Sequence, residues 1–180
     1  MKRLPSPGVY AAWLAVARVV TGIMWLCHGI PKFTDSAFFL PPNGIISGYV
    51  AHGIASTTGF YHTFLLQTVQ PNIGVFAELV RLGEVLVGVS LVLGALTRVG
   101  GLFGILLPLN YLAARGHLVS SATLQSPDFE LLVLSALSFV LPTGRFLGVD
   151  ALFGRARRPA APVKAEFVPE PPLDRPSAPP

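Results

Sequence analysis

Charge is scarce in this 180-residue chain. Asp, Glu, Lys and Arg make up 12% of it, against 52% hydrophobic residues. An average globular domain carries about 25% charge, so this chain has too little to cover a soluble surface. Lipid is the solvent that the composition fits. The formal net charge of +4 does not point to nucleic acid, because the basic residues are scattered or flank apolar stretches. One cysteine, Cys27, excludes an internal disulfide and any relay through paired cysteines. Four histidines without HxH or HxxxH spacing make no case for a metal. No flavin, haem or iron–sulfur motif is present.

What the chain does have is four apolar stretches near the roughly 20 residues that a membrane crossing needs. They run over residues 9–30, 74–96, 99–114 and 129–147. The pattern predicts an all-α fold, an integral membrane four-helix transmembrane bundle, over residues 1–153. Thr97 and Arg98 leave only a tight turn between the second and third stretches, which predicts an antiparallel hairpin. Pro108 predicts a kink or a thinner crossing in the third. Arg18 interrupts the first stretch and no cleavage site follows, so it reads as a span and not a secretory signal.

Lysine and arginine in the short flanks set the orientation. Lys2, Arg3, Arg98, Arg145, Arg155, Arg157 and Arg158 fall on one side, and Lys32 and Arg115 on the other. Both termini are therefore expected to be cytoplasmic, with the long first connection facing outward. Within that connection FYHTFLLQTV, residues 60–69, predicts a short interfacial helix. Residues 154–180 are rich in proline and alanine and are expected to form a disordered cytoplasmic tail.

Ionisable residues inside the spans are the informative ones, because each costs a few kcal/mol in hydrocarbon unless paired or hydrated. Glu78, Arg81 and Glu84 follow one another at three-residue spacing and fan across one helix face. Counting depth at about 1.5 Å per residue from span ends taken as level sets Arg18 beside Glu84. That predicts a structural intramembrane pair between them, with Glu78 and Arg81 forming a second pair nearer the outer face. His28, Lys32, Asn110, Tyr111 and Glu130 collect near the outer ends of the spans. Together they suggest a polar pocket that Gln67, His52 and His62 could roof.

The order of motifs resembles the DoxX/DoxD family. ARVVTGIMWLCHGIPKF, with Arg18, Gly22, His28, Gly29 and Lys32, is similar to the family's opening segment. The central segment has Pro71–Asn72 before the second span, then Glu78, Glu84, Gly88, Gly94 and Thr97–Arg98. Asn110–Tyr111 resembles the "NY" of the DoxD-like branch, and Gly144 with Asp150 resembles the closing segment. Arg81, between the two glutamates, departs from the pattern. The resemblance runs from about Val16 to Asp150. It implies a four-helix protein of a bacterial or archaeal inner (plasma) membrane, related to the membrane subunit of thiosulfate:quinone oxidoreductase. Such a subunit works with a second protein, here expected on the outer face.

The residues and the resemblance together suggest a quinone site with Glu78 and Glu130 as proton donors. His28, Lys32, Arg81, Asn110 and Tyr111 would bind the quinone. A non-catalytic membrane scaffold or maturation factor is the competing reading, and a small-solute carrier a third.

Overall fold

The computed structural model describes residues 7–39, 44–116, 120–141, 143–145 and 147–152. The expected tail, residues 154–180, lies outside them, as do Lys2, Arg3, Arg155, Arg157 and Arg158. Among the described residues the fold is all-α. The long helices are α1 (Pro7–Gly29), α6 (Ile73–Leu93), α7 (Thr97–Ala114) and α9 (Pro127–Val140). Between α1 and α6 come α2 (Pro31–Thr34), α3 (Ser36–Phe39), α4 (Ile45–Ser56) and α5 (Gly59–Phe64). A π turn at Leu65–Val69 and a 3-10 turn at Gln70–Asn72 then lead into α6. α8 (Ser121–Leu124) precedes α9.

Local sequence sets most of these boundaries. Pro31 cannot continue α1 and instead opens α2, where its missing N–H costs nothing. α6 ends at Gly94, which takes the left-handed conformation (φ 65°) and donates its N–H to Ser90. α9 starts at Ser126, whose hydroxyl accepts from the Phe129 N–H, with Pro127 at the first helical position. It stops at Val140, short of the expected 129–147 stretch. Leu141 precedes a proline, which disfavours helical backbone, and it is extended (ψ 143°). α7 runs through Pro108 as one helix.

The four long helices pack in a closed cycle: α1 along α6, α6 against α7, α7 along α9, and α9 back on α1. Small residues bring the backbones together. A Cβ on Gly22 would lie 2.7 Å from the Val92 nitrogen and 2.8 Å from the Gly88 oxygen. One on Gly101 would lie 2.8 Å from the Phe139 nitrogen. Trp25, Val87, Leu91 and Leu131 fill the centre, and the Trp25 indole donates to the Ser135 hydroxyl at 3.0 Å.

Apolar side chains are not confined to the inside of the bundle. Large apolar side chains run along the exposed faces: Trp13, Val16, Val20 and Ile23 on α1, and Leu79, Leu82, Leu86 and Leu93 on α6. The same holds for Val99, Leu102 and Leu106 on α7 and for Val133, Leu137 and Val140 on α9. Buried instead are Arg18, Thr21, Glu84, Ser135 and Ser138. The stretch Gly8–Thr34 is long and apolar enough to cross a membrane. α6 is long enough too but carries Glu78, Arg81 and Glu84, while α9 has only 14 residues, about 21 Å.

The segments from α2 to the 3-10 turn are more than one interfacial helix. They fold into a cap with its own core of Phe38, Ile46, Val50, Leu65 and Val69, seated on Ala77 of α6. The cap end of the bundle is thus opposite the hairpin end, where residues 94–97 join α6 to α7.

Candidate functional site

Polar side chains gather at both ends of the bundle. At the cap end Glu84 is buried, its side chain only 2% exposed. Its Oε1 accepts from the Tyr111 hydroxyl at 2.8 Å, and its Oε2 receives the Lys32 ammonium. Three elements supply this cluster: Lys32 from α2, Glu84 from α6 and Tyr111 from α7. Gly29 lets α1 and α6 come close, since a Cβ there would lie 3.0 Å from the Glu84 Cβ. The Lys32 side chain keeps 23% exposure, and its ammonium stands 5.6 Å from the Phe38 ring centroid and 6.0 Å from that of Tyr111.

Glu78 and Arg81 pair one turn nearer the cap. Arg81 Nε donates to Glu78 Oε2 at 2.7 Å, and a terminal guanidinium nitrogen meets the other oxygen. The guanidinium carbon lies 4.6 Å from the Phe33 ring centroid, so α2 carries both an aromatic partner for Arg81 and the cation for Glu84. Near the end of α7, Arg115 pairs with Asp128 at 2.6 Å.

The expected pair between Arg18 and Glu84 does not form. Glu84 takes Lys32 and Tyr111, whereas Arg18 donates to the Thr143 oxygen at 2.9 Å and the Leu147 oxygen at 3.0 Å. Stagger is the physical reason. Gly29 is level with Glu84, and the Arg18 guanidinium reaches Gly94 at the hairpin end. Eleven residues of α1 therefore separate Arg18 from the level of Glu84, roughly 16 Å of helix. Taking the span ends as level concealed that offset.

The other expected site residues disperse. His28 is exposed, its Nδ1 2.9 Å from the Met24 oxygen. Asn110 is exposed and accepts from the Tyr61 hydroxyl through Oδ1 at 2.7 Å. Burial holds that Tyr61 hydroxyl above the usual range of a phenol. Glu130 is exposed and lines a shallow groove with Leu124, Phe129, Val133 and Leu134. His52 bonds to Ser56 and His62 to the Ile54 oxygen, while Gln67 is exposed, so none of the three bonds to the Glu84 cluster. The structure thus brings together Lys32, Glu84 and Tyr111, with Arg81 and Glu78 beside them, and leaves His28, Asn110 and Glu130 apart.

The hairpin end holds an arrangement that spacing did not reveal. Asp150 accepts from the Leu96 N–H at 2.8 Å, the Thr97 N–H at 3.0 Å and the Thr97 hydroxyl. It therefore caps the start of α7 from 53 residues away. Desolvation would raise its pKa, but the Thr97 and Leu96 hydrogen bonds and the Arg18 charge outweigh that and hold it below the usual carboxylate value. Val149 and Asp150 also donate their N–H groups to the Leu93 and Gly94 oxygens. Leu96 and Leu147 both have left-handed backbone (φ 52°), a strained state for a non-glycine residue. The signal for this clip was Gly144 with Asp150 following a proline that ends the last helix.

Among the described residues no group of three or more His, Cys, Asp or Glu side chains is placed to hold a metal ion. A packed helical protein with a membrane-length first helix and a buried acid–base cluster defines the class. The DoxX family model matches residues 13–114, which run from the first turns of α1 to the end of α7. The chain belongs to the DoxX family. No curated protein and no solved structure matches it. Family membership and the Gly8–Thr34 helix together support a membrane location.

Proposed function

We propose that the chain is a four-helix transmembrane bundle of a bacterial or archaeal plasma membrane, with both termini cytoplasmic and the cap facing outward. In this reading it is the quinone-interacting membrane subunit of a small redox complex that oxidises thiosulfate or thiols. The exposed apolar stripes on all four long helices, with polar residues and glycines between them, support lipid as the surroundings.

The observation that carries the functional reading is the buried cluster of Glu84, Lys32 and Tyr111 at one end of an apolar bundle. A bound quinone supplies an acceptor for two electrons and two protons. The ammonium of Lys32, the hydroxyl of Tyr111 and the guanidinium of Arg81 are donors suited to its oxygens. The Phe33 and Phe38 rings beside them offer apolar surface of the kind such sites use. The donor set therefore fits a quinone. His28, Asn110 and Glu130 lie away from this cluster, and their expected roles have no geometric support. A second protein subunit on the outer face, or thiosulfate itself, supplies the electrons.

Binding of a short-tailed quinone analogue to the purified protein in detergent tests this. Wild type is expected to bind saturably, and Glu78→Gln or Arg81→Gln to weaken binding with the fold intact. A well-folded wild type that binds nothing sinks the quinone site. One observation favours a non-catalytic scaffold or maturation factor instead. The polar groups at the cap end already satisfy one another, Glu78 with Arg81, Glu84 with Lys32 and Tyr111, and Asn110 with Tyr61. Under that reading the same substitutions disturb assembly with a partner and leave no ligand to lose.

A further inference from the structure

Glu78, Glu84 and Glu130, three of the carboxylates near the cap end, differ in what they could do with a proton. Glu78 is gripped through both oxygens by Arg81, a bidentate pair that leaves neither oxygen free for another partner. Glu130 is exposed on the outward stripe of α9, beside Val133 and Leu134. Glu84 alone is buried between two partners of different kinds, one on each oxygen. Tyr111 is neutral and can donate or accept. Lys32 carries the compensating charge from a one-turn helix, and its partial exposure links the carboxylate to the water side of the cap.

We propose that Glu84 is the proton-exchanging group of the cap-end site, and that the position of Lys32 sets whether it holds a proton. The proposal rests on reading this cluster as a redox site, and it moves the proton role from Glu78 and Glu130 to a residue expected to be structural. Its physical basis is charge compensation. A carboxylate this deeply buried keeps its charge only while an opposite charge is in contact. When Lys32 turns to water, or to the oxygen of a bound ligand, one positive charge leaves the cluster. A proton from the outer water replaces it on Glu84, and that proton is free to pass on when Lys32 returns. The cluster's charge is conserved in both states.

Lys32 is the cation that reaches the Glu84 carboxylate. Arg81 is committed to Glu78 on the same helix and stacks on Phe33 from α2. Arg115, at the end of α7, faces Asp128 of α9. His28 of α1 is turned outward onto its own helix.

Infrared difference spectroscopy of the full chain in lipid nanodiscs tests this through the carbonyl stretch of a protonated carboxylic acid. In wild type at neutral pH the Glu84 band is expected to be missing. Lys32→Met is expected to bring it in, because the carboxylate then has lost the charge in contact with it. Adding Glu84→Gln to that variant should abolish the new band, and Lys32→Arg should restore the wild-type spectrum. Lys32→Gln serves as the second variant should the methionine form fold poorly, judged by helical circular dichroism and its melt. A folded Lys32→Met or Lys32→Gln protein without the band overturns the proposal, whatever the quinone result. The short-tailed quinone analogue is then added to wild type. A new Glu84 band on binding supports the switch, and binding that leaves the spectrum unchanged overturns it while keeping the quinone site. The band in Lys32→Met with no analogue bound by wild type supports the switch and rejects the quinone.

Discussion

The two ends of the bundle bury charge in opposite ways. At the hairpin end Arg18 is 1% exposed and is held by the Thr143 and Leu147 carbonyls, while Asp150 is held chiefly by backbone N–H groups. At the cap end Glu84 is held by two side chains, one of which reaches solvent. Backbone groups cannot leave, so the hairpin-end charges are fastened once and join segments 125 and 129 residues apart. Side chains have rotamers to spare, so the cap-end charge can change partner. Burial alone does not distinguish structural from chemical charges, whereas the mobility of the partners does.

That contrast gives the largest expected effect. Arg18→Met removes the donors of two backbone oxygens and leaves them without a replacement, so the unfolding free energy in mixed micelles should fall by about 3 kcal/mol or more. Glu84→Gln keeps shape and a hydrogen bond to Tyr111, and the freed Lys32 can extend to water along its flexible stem. Its cost should be about 1 kcal/mol. Quinone-analogue binding should respond in the reverse order, weakened in Glu84→Gln and retained by the folded fraction of Arg18→Met. Equal stability losses in the two variants would break the comparison.

The apolar stretches made the four long helices legible, because length and composition dictate them locally. Relations between helices were less legible. Arg18 and Glu84 are both buried, yet the pair expected between them does not form, since nothing in either stretch reports that α1 and α6 are staggered. Lys32 was recognised as polar and near an end, but its reach to Glu84 depends on the one-turn α2 that Pro31 starts. The cap was read as a single helix because Ile45–Ser56 carries no strong alternation of polar and apolar faces. Its partners, Leu65 and Val69, lie beyond a further turn. The clip was hidden for a similar reason. Residues 141–147 are apolar enough to look like the end of a span, and only the docking of Asp150 on Leu96 and Thr97 reveals their purpose.

A smaller effect sharpens the picture of the hairpin end. Asp150→Asn keeps the shape of the cap on α7 but loses its charge, and should cost about 1 kcal/mol. The carboxyl of Asp150 is held below its ordinary range in the fold. Its stabilising contribution is therefore complete above the unfolded-state value, about 3.9, and is lost as pH falls through the lower folded value. Melting temperature measured from neutral pH downward should decline more steeply in wild type than in Asp150→Asn. Parallel curves would show that Asp150 acts through shape alone.

The smallest effect concerns how firmly the cap sits on the bundle. The Tyr61 hydroxyl donates to Asn110, at 2.7 Å from Oδ1 and 3.0 Å from the backbone oxygen, at an exposed edge. Water can replace that donor, so Tyr61→Phe should cost only about 0.5–1 kcal/mol. Its ring would still pack beside Phe64. The same contact ties α5 to α7 one residue before Tyr111, so loosening it should be felt locally. Amide exchange of residues 59–64 should speed up in Tyr61→Phe while that of α6 and α9 stays unchanged. Faster exchange throughout the bundle would mean that the cap and the long helices unfold together. The cap end would then be as rigidly fastened as the hairpin end, and the contrast between them would rest on Lys32 alone.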